Sequence, residues 1–197
     1  MRLILPRTGQ ARYAGCVRYL VLNLFAAMLL PATSSAAREP APATVSTCFT
    51  PGPESCAEQI ADRIDAATAS VRVQAYYLTQ PLILRSIAAA KRRGLDVEAI
   101  LDKSQDRHGS TRSRYSGATY LANAGVPVWI DDAPAIAHSK IIILDAHTVL
   151  TGSFNFTRAA DTRNAENVVV IDSQTVAAWF TQNWDDRKAA SRRFEAE

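Results

Sequence analysis

Residues 138–155, HSKIIILDAHTVLTGSFN, limit how this chain can fold more than any other stretch. KIIIL is a β-branched run bounded by polar residues and too short for a helix, which makes it a buried strand. DAHT supplies a turn, and VLTGS reads as the strand returning beside the first. Strand side chains alternate with period two, so His138 and Lys140 project from one face. The hairpin carries Ser153 and Asn155, also two apart, back toward the level of that pair. One imidazole would then meet an ammonium, a hydroxyl, an amide and a backbone N–H freed by Gly152. A pocket lined by donors suits an anion with several oxygens, and phosphate is the obvious one. Imidazole titrates near neutrality, so beside phosphate it can attack phosphorus or move protons.

The flanking segments alternate between helix and strand. SCAEQIADRIDAATA opens with the pattern of a capping box, Ser55 and Glu58, and sets Ala57, Ile60, Ala61 and Ile64 on one helical face. SVRVQAYYL alternates as a strand, with Val71, Val73, Ala75 and Tyr77 pointing one way and Arg72, Gln74 and Tyr76 the other. PLILRSIAAAKRRG starts on Pro81 and closes on a basic turn and Gly94, both favourable helix ends. LDVEAIL, VPVWI and ENVVVID are further strands, and ATYLANAG is a short helix. The C-terminal SQTVAAWFTQNWDDRKAA is a helix with Val176, Ala177, Phe180 and Trp184 on one side. This order predicts an α/β fold, a mixed central sheet flanked by helices, without internal repeat.

The N-terminus reads as a targeting segment. Arg2, Arg7, Arg12 and Arg18 lead into YLVLNLFAAMLL, and small residues follow in PATSSAA, the pattern of a secretory signal peptide over residues 1–37. The apolar run is about a dozen residues, short of the roughly 20 that a membrane-spanning helix needs; a retained N-terminal anchor is the alternative. A periplasmic or secreted location follows, with no integral span after cleavage. The chain carries 22 basic and 19 acidic side chains, but four arginines and no acids fall in residues 1–37. The remaining 18 basic and 19 acidic groups balance to −1, so net charge makes no case for a nucleic-acid partner. Residues 38–47, with two prolines, read as a linker to one domain over residues 48–197. In an oxidising compartment Cys48 and Cys56 read as a disulfide rather than a metal site or a reactive thiol.

His138, Lys140, Asp145, Gly152, Ser153 and Asn155 stand at the spacing H-x-K-x4-D-x6-G-S-x-N. This signature resembles that of the phospholipase D superfamily of phosphodiesterases. VQAYYLT, AAKRRGLDVEAILD, GSFNFTRAADTRNAENVVVI and NWDDR are similar to its small single-motif bacterial endonucleases. The resemblance implies a phospholipase D-like nuclease fold with one motif per chain and a two-step hydrolysis that uses neither metal nor cofactor. His138 would be the nucleophile and form a phosphohistidine. Lys140, Ser153 and Asn155 would hold the phosphate, and Glu166 would fix the imidazole tautomer through its other nitrogen. Asp145 belongs to the catalytic signature, with a role in the turn more than on substrate. Because one histidine does not serve both sides of phosphorus, a homodimer sharing the site is expected. The expected substrate is a nucleic acid, DNA first and RNA second, cut without sequence specificity, with a phospholipid head group as the alternative.

Other readings carry less. No His-x-x-x-His or Cys-x-x-Cys pair supports a metal site, and Asp131–Asp132 is weak. A Ser-His-Asp hydrolase from Ser153, His138 and Asp145 lacks the Gly-x-Ser-x-Gly elbow. His108 and His147 read as solvated loop residues, and Tyr76, Tyr77, Phe154 and Phe156 as core or pocket wall. The basic loop with Lys103, Arg107, Arg112 and Arg114 is either a solvated loop or a sequence-tolerant contact to a phosphate backbone.

Overall fold

The structure, a computed structural model, describes residues 39–106 and 116–195. The expected signal segment, together with His108, Arg107, Arg112 and Arg114, lies outside the described residues. In chain order the elements are β1 (Thr44–Thr50), α1 (Cys56–Ala66), β2 (Ser70–Ala75), α2 (Pro81–Arg92), β3 (Asp96–Asp102), α3 (Gly117–Asn123) and β4 (Val128–Asp131). They continue with β5 (Lys140–Leu144), β6 (Thr148–Gly152), α4 (Arg158–Thr162), β7 (Glu166–Asp172), α5 (Gln174–Ala189) and β8 (Arg192–Arg193). The strands form one sheet in the order β1-β7-β6-β5-β2-β3-β4-β8. β2, β3 and β4 run parallel, and the other pairings are antiparallel. The predicted mixed α/β sheet is therefore the observed one.

β5 explains why KIIIL is apolar without a break. Ile142 and Leu144 join the core beneath α1 and α2, which includes Ile60, Ile64, Ile83 and Ile87. Ile141 and Ile143 point the other way, into a smaller core formed with Val149, Ala177 and Trp184. A strand buried on both faces cannot alternate with polar residues. Trp184, from α5, also donates from its indole Nε1 to Val73 O at 3.1 Å, so the helix is tied to the sheet by packing and by a hydrogen bond. Of the predicted stripe on α5, Ala177 and Trp184 are buried, while Val176 and Phe180 are half-buried.

Two expectations need revision. Residues 38–47 are not wholly a linker, because β1 begins at Thr44 and pairs with β7 in register from Thr44↔Asp172 to Thr50↔Glu166. Its own side chains are mostly exposed, so the strand exists through its ladder and not through apolar content. The capping box is half formed. Ser55 Oγ accepts from Glu58 N at 3.1 Å, but it donates to Asp161 of α4, which also accepts from Ala57 N. The start of α1 thus clamps α4 with a carboxylate at a helix N-terminus. Cys48 and Cys56 are disulfide-bonded with a Cα–Cα distance of 5.7 Å, joining β1 to α1.

The β5–β6 turn needs Asp145 and Ala146 at φ 53° and 51°, a region that favours glycine. The Asp145 carboxylate stabilises that turn by accepting from Thr68 N, Ala69 N, Ser70 N and Thr68 Oγ1 at 2.8–3.0 Å. It thereby satisfies the donors between α1 and β2 and locks the hairpin to the start of β2. Partial burial opposes its charge, but these bonds outweigh burial and hold its pKa below the usual carboxylate range. At the opposite end of β6, Gly152 has φ 149°, and a Cβ there would overlap the Asn167 carbonyl of β7.

Asp145→Ala should lower the unfolding free energy by about 1–2 kcal/mol at pH 7, read by urea denaturation. A depressed folded pKa means that this contribution is complete above the unfolded value of about 3.9. The gap between parent and variant should therefore close as pH falls through the folded pKa, and a gap that persists in acid contradicts this role. Gly152→Ala should cost about 1–3 kcal/mol, because the new methyl forces β6 and β7 apart.

Candidate active site

The strand directions bring every residue of the signature except Asp145 to one end of the sheet. β5 starts there with Lys140, β6 finishes there with Gly152, and β7 starts there with Glu166. β2 and β3 also end there, since Ala75 pairs with both Lys140 and Leu101. After β6 the chain crosses this end. Phe154 N donates to Asn167 O on β7, and Phe156 N donates to Tyr77 O just beyond β2. Asn155, between them, is carried over the ends of β6 and β5. Phe154 and Phe156 are both buried and anchor the crossing on either side of it.

Lys140 is the most constrained member of the set. Its side chain is 7% exposed, and Nζ donates to the His138 carbonyl at 2.7 Å. Burial holds its pKa below the usual lysine value, with the Glu166 carboxylate acting in the opposite sense. Ser153 Oγ donates to Glu166 at 2.6 Å and accepts from Asn167 N at 3.1 Å. The other Glu166 oxygen accepts from Asn164 Nδ2 at 2.9 Å. Among the described residues no hydrogen bond joins Glu166 to His138. In this arrangement the acid holds Ser153 and Asn164, and not the imidazole as expected. Among the described residues the buried Oδ1 of Asn155 has no hydrogen-bond partner, which costs about 1–3 kcal/mol unless a donor reaches it.

His138 itself is exposed, two residues before β5. Its ring lies 4.7 Å from that of Tyr76, tilted by 56°. Tyr76 N donates to Ser139 O at 2.9 Å, and its ring packs edge-on against Tyr77 at 4.2 Å. Hydrogen bonding with Tyr77, and then burial, raise the Tyr76 pKa, so its ring stays a neutral phenol. A second group missing from the expected set is Asp102, 3% exposed at the end of β3. It accepts from Ser104 N at 2.8 Å and from Ala137 N at 2.7 Å, fixing the residue before His138. Burial opposes its charge, but the bonds from Ser104 and Ala137 prevail and hold its pKa low. Its position beside the polar loop concealed it, since the bond to Ala137 spans 35 residues.

Asp145 is excluded from the catalytic group by position. It follows β5 at the end remote from His138, about 17 Å from Lys140 at the usual strand rise. His147 lies in the same remote turn, where its backbone carbonyl accepts from Ser173 N. Lys103, from the basic loop, donates to Pro134 O at 2.9 Å in the segment leading to His138.

Comparison with known proteins agrees with this geometry. A family model described as "Cardiolipin synthase, PLD-like domain" matches residues 60–187. The chain is 46% identical over 147 residues to a phospholipase D of Rickettsia conorii, covering 75% of this chain and 70% of that protein. It is 31% identical over 124 residues to a mitochondrial cardiolipin hydrolase of Chlamydomonas reinhardtii, covering 63% of this chain and 53% of the relative. The crystal structure of Nuc, a phospholipase D family member from Salmonella typhimurium, superposes with a TM-score of 0.70 at 38% identity, covering 79% of this chain and 100% of Nuc. NucT from Helicobacter pylori shares the fold, with a TM-score of 0.67 at 21% identity, covering 78% of this chain and 100% of NucT. With this family model and these relatives, the chain belongs to the phospholipase D superfamily and is a hydrolase of phosphodiester bonds.

Proposed function

We propose that this protein is a homodimeric endonuclease of low sequence specificity, acting after export and without a metal ion. The observation that carries the reading is the match to the whole length of Nuc at 38% identity, together with the exposure of His138 at the sheet end that holds Lys140. In the first step a His138 nitrogen attacks phosphorus, forming an N–P bond while the P–O bond to the leaving strand breaks. The departing oxygen takes a proton from an acid on the opposite side. In the second step water attacks phosphorus and gives a proton back to the group that protonated the leaving oxygen, the N–P bond breaks and free imidazole returns. Lys140 and Asn155 stabilise charge on the non-bridging oxygens, and losing one such donor typically costs about 10²–10³ in rate.

One chain supplies one motif, and attack and departure occur on opposite faces of phosphorus. A second copy of the chain therefore brings the second imidazole across a two-fold axis. Ile136, 57% exposed and two residues before His138, gives an apolar rim for that contact. A second reading, phospholipase D activity on a phospholipid head group, is favoured by the name of the Rickettsia relatives at 46% identity and uses the same pocket.

A substrate panel of plasmid DNA, RNA, phosphatidylcholine and cardiolipin, each in excess EDTA, tests the proposal. Plasmid nicking in EDTA, abolished in His138→Asn and lowered about 10²–10³-fold in Lys140→Met, is expected. Head-group release without nucleic-acid cleavage would establish the second reading, and a requirement for added divalent metal contradicts both. Because burial lowers the Lys140 pKa, activity should fall on the alkaline side before the ordinary lysine range. Light scattering should give twice the chain mass; full activity in a monomer contradicts the shared site.

A further inference from the structure

We infer that Tyr76 is a positioning residue for His138, holding the plane of the imidazole and favouring the positive charge that the ring carries once its nitrogen bonds to phosphorus. The inference rests on the nucleophile reading above and adds a residue outside the sequence signature. Among the described residues no hydrogen bond reaches the His138 imidazole. The contact that does reach it is the Tyr76 ring, at 4.7 Å between centroids. An exposed imidazole without such a wall samples several rotamers, and only some of them aim a nitrogen at the pocket.

Tyr76 is itself well held. Its backbone N–H is bonded to Ser139 O, its ring meets Tyr77 at a 62° interplanar angle, and the Lys140 ammonium lies 5.4 Å from its centroid. The ring therefore lies close to both the ammonium of Lys140 and the imidazole of His138. As the imidazole lone pair becomes the N–P bond, the ring acquires imidazolium character, which it loses when water displaces it. The electron-rich face of a neutral phenol attracts such a charge. Three charged groups lie near the pair: Lys140 of β5 beside the Tyr76 ring, Asp102 of β3 acting on Tyr76, and Glu166 of β7 acting on Lys140. All three residues are kept in every variant, and Tyr76→Phe also keeps the ring beside the Lys140 ammonium, so the spectrum of His138 separates the contact with the imidazole from that with the lysine.

The test uses the full chain with Tyr76→Phe, which keeps the ring, and Tyr76→Leu, which keeps apolar bulk without it. Single-turnover cleavage of the substrate identified in the panel should slow about three- to thirtyfold in Tyr76→Leu, with KM within about twofold, while Tyr76→Phe stays within about twofold of the parent. Without substrate, the His138 ring resonances of ring-labelled histidine, assigned by their loss in His138→Asn, should move in Tyr76→Leu, because the aromatic shielding from a ring 4.7 Å away is lost. In Tyr76→Phe they should stay with the parent, and those of the remote His147 should not move in either protein. If Tyr76→Leu does not fold, Tyr76→Met replaces it. A ring-less variant unmoved in either readout, or Tyr76→Phe as impaired as Tyr76→Leu, overturns the inference. A parent chain without phosphodiesterase activity refutes the preceding proposal instead, while the substrate-free spectrum still decides the contact of Tyr76 with His138.

Discussion

The arrangement depends on the burial of β5 on both faces. Ile142 and Leu144 on one side, and Ile141 and Ile143 on the other, leave the strand no freedom to slide or rotate. A slip of one residue would exchange the two sets and turn Lys140 to the opposite face. A strand so fixed is a rigid platform for the proposed nucleophile at its entrance. The ammonium of Lys140 is then placed by packing rather than by a flexible loop, and its burial follows from the same register.

Both ends of the hairpin are fastened by polar groups with separate tasks. Asp145 ties the remote turn to the start of β2 through backbone donors. Gly152 brings β6 close to β7 at the other end, where Ser153 bonds to Glu166 and Asn167. One signature thus mixes residues that carry chemistry with residues that keep the platform in register. Asp102 adds a third fastening, from β3 to the residue before His138.

Local periodicity made most of this legible. β2, β3 and β5 follow from alternation or β-branched runs, α1 and α2 from apolar spacing and end residues, and the return of Gly152 to the level of Lys140 from the hairpin, while His138, Ser153 and Asn155 lie just outside its strands. What stayed hidden depends on distant partners. β1 is mostly polar and exposed and becomes a strand through its ladder with β7. Asp161 caps α1 from 106 residues away, and Glu166 engages Ser153 and Asn164 instead of the imidazole. Tyr76 read as pocket wall, which its half-buried position supports, but its contact with His138 arises only when β2 and β5 are side by side.

The central claim is that the exposed imidazole of His138 becomes covalently bonded to phosphorus during turnover. Rapid acid-free quenching of the protein during cleavage of a phosphorus-labelled substrate, followed by peptide mapping, tests it most directly. Label on the peptide containing His138, stable in alkali and lost in acid, is the predicted result. Steady turnover with no label on that peptide at any quench time would contradict the account.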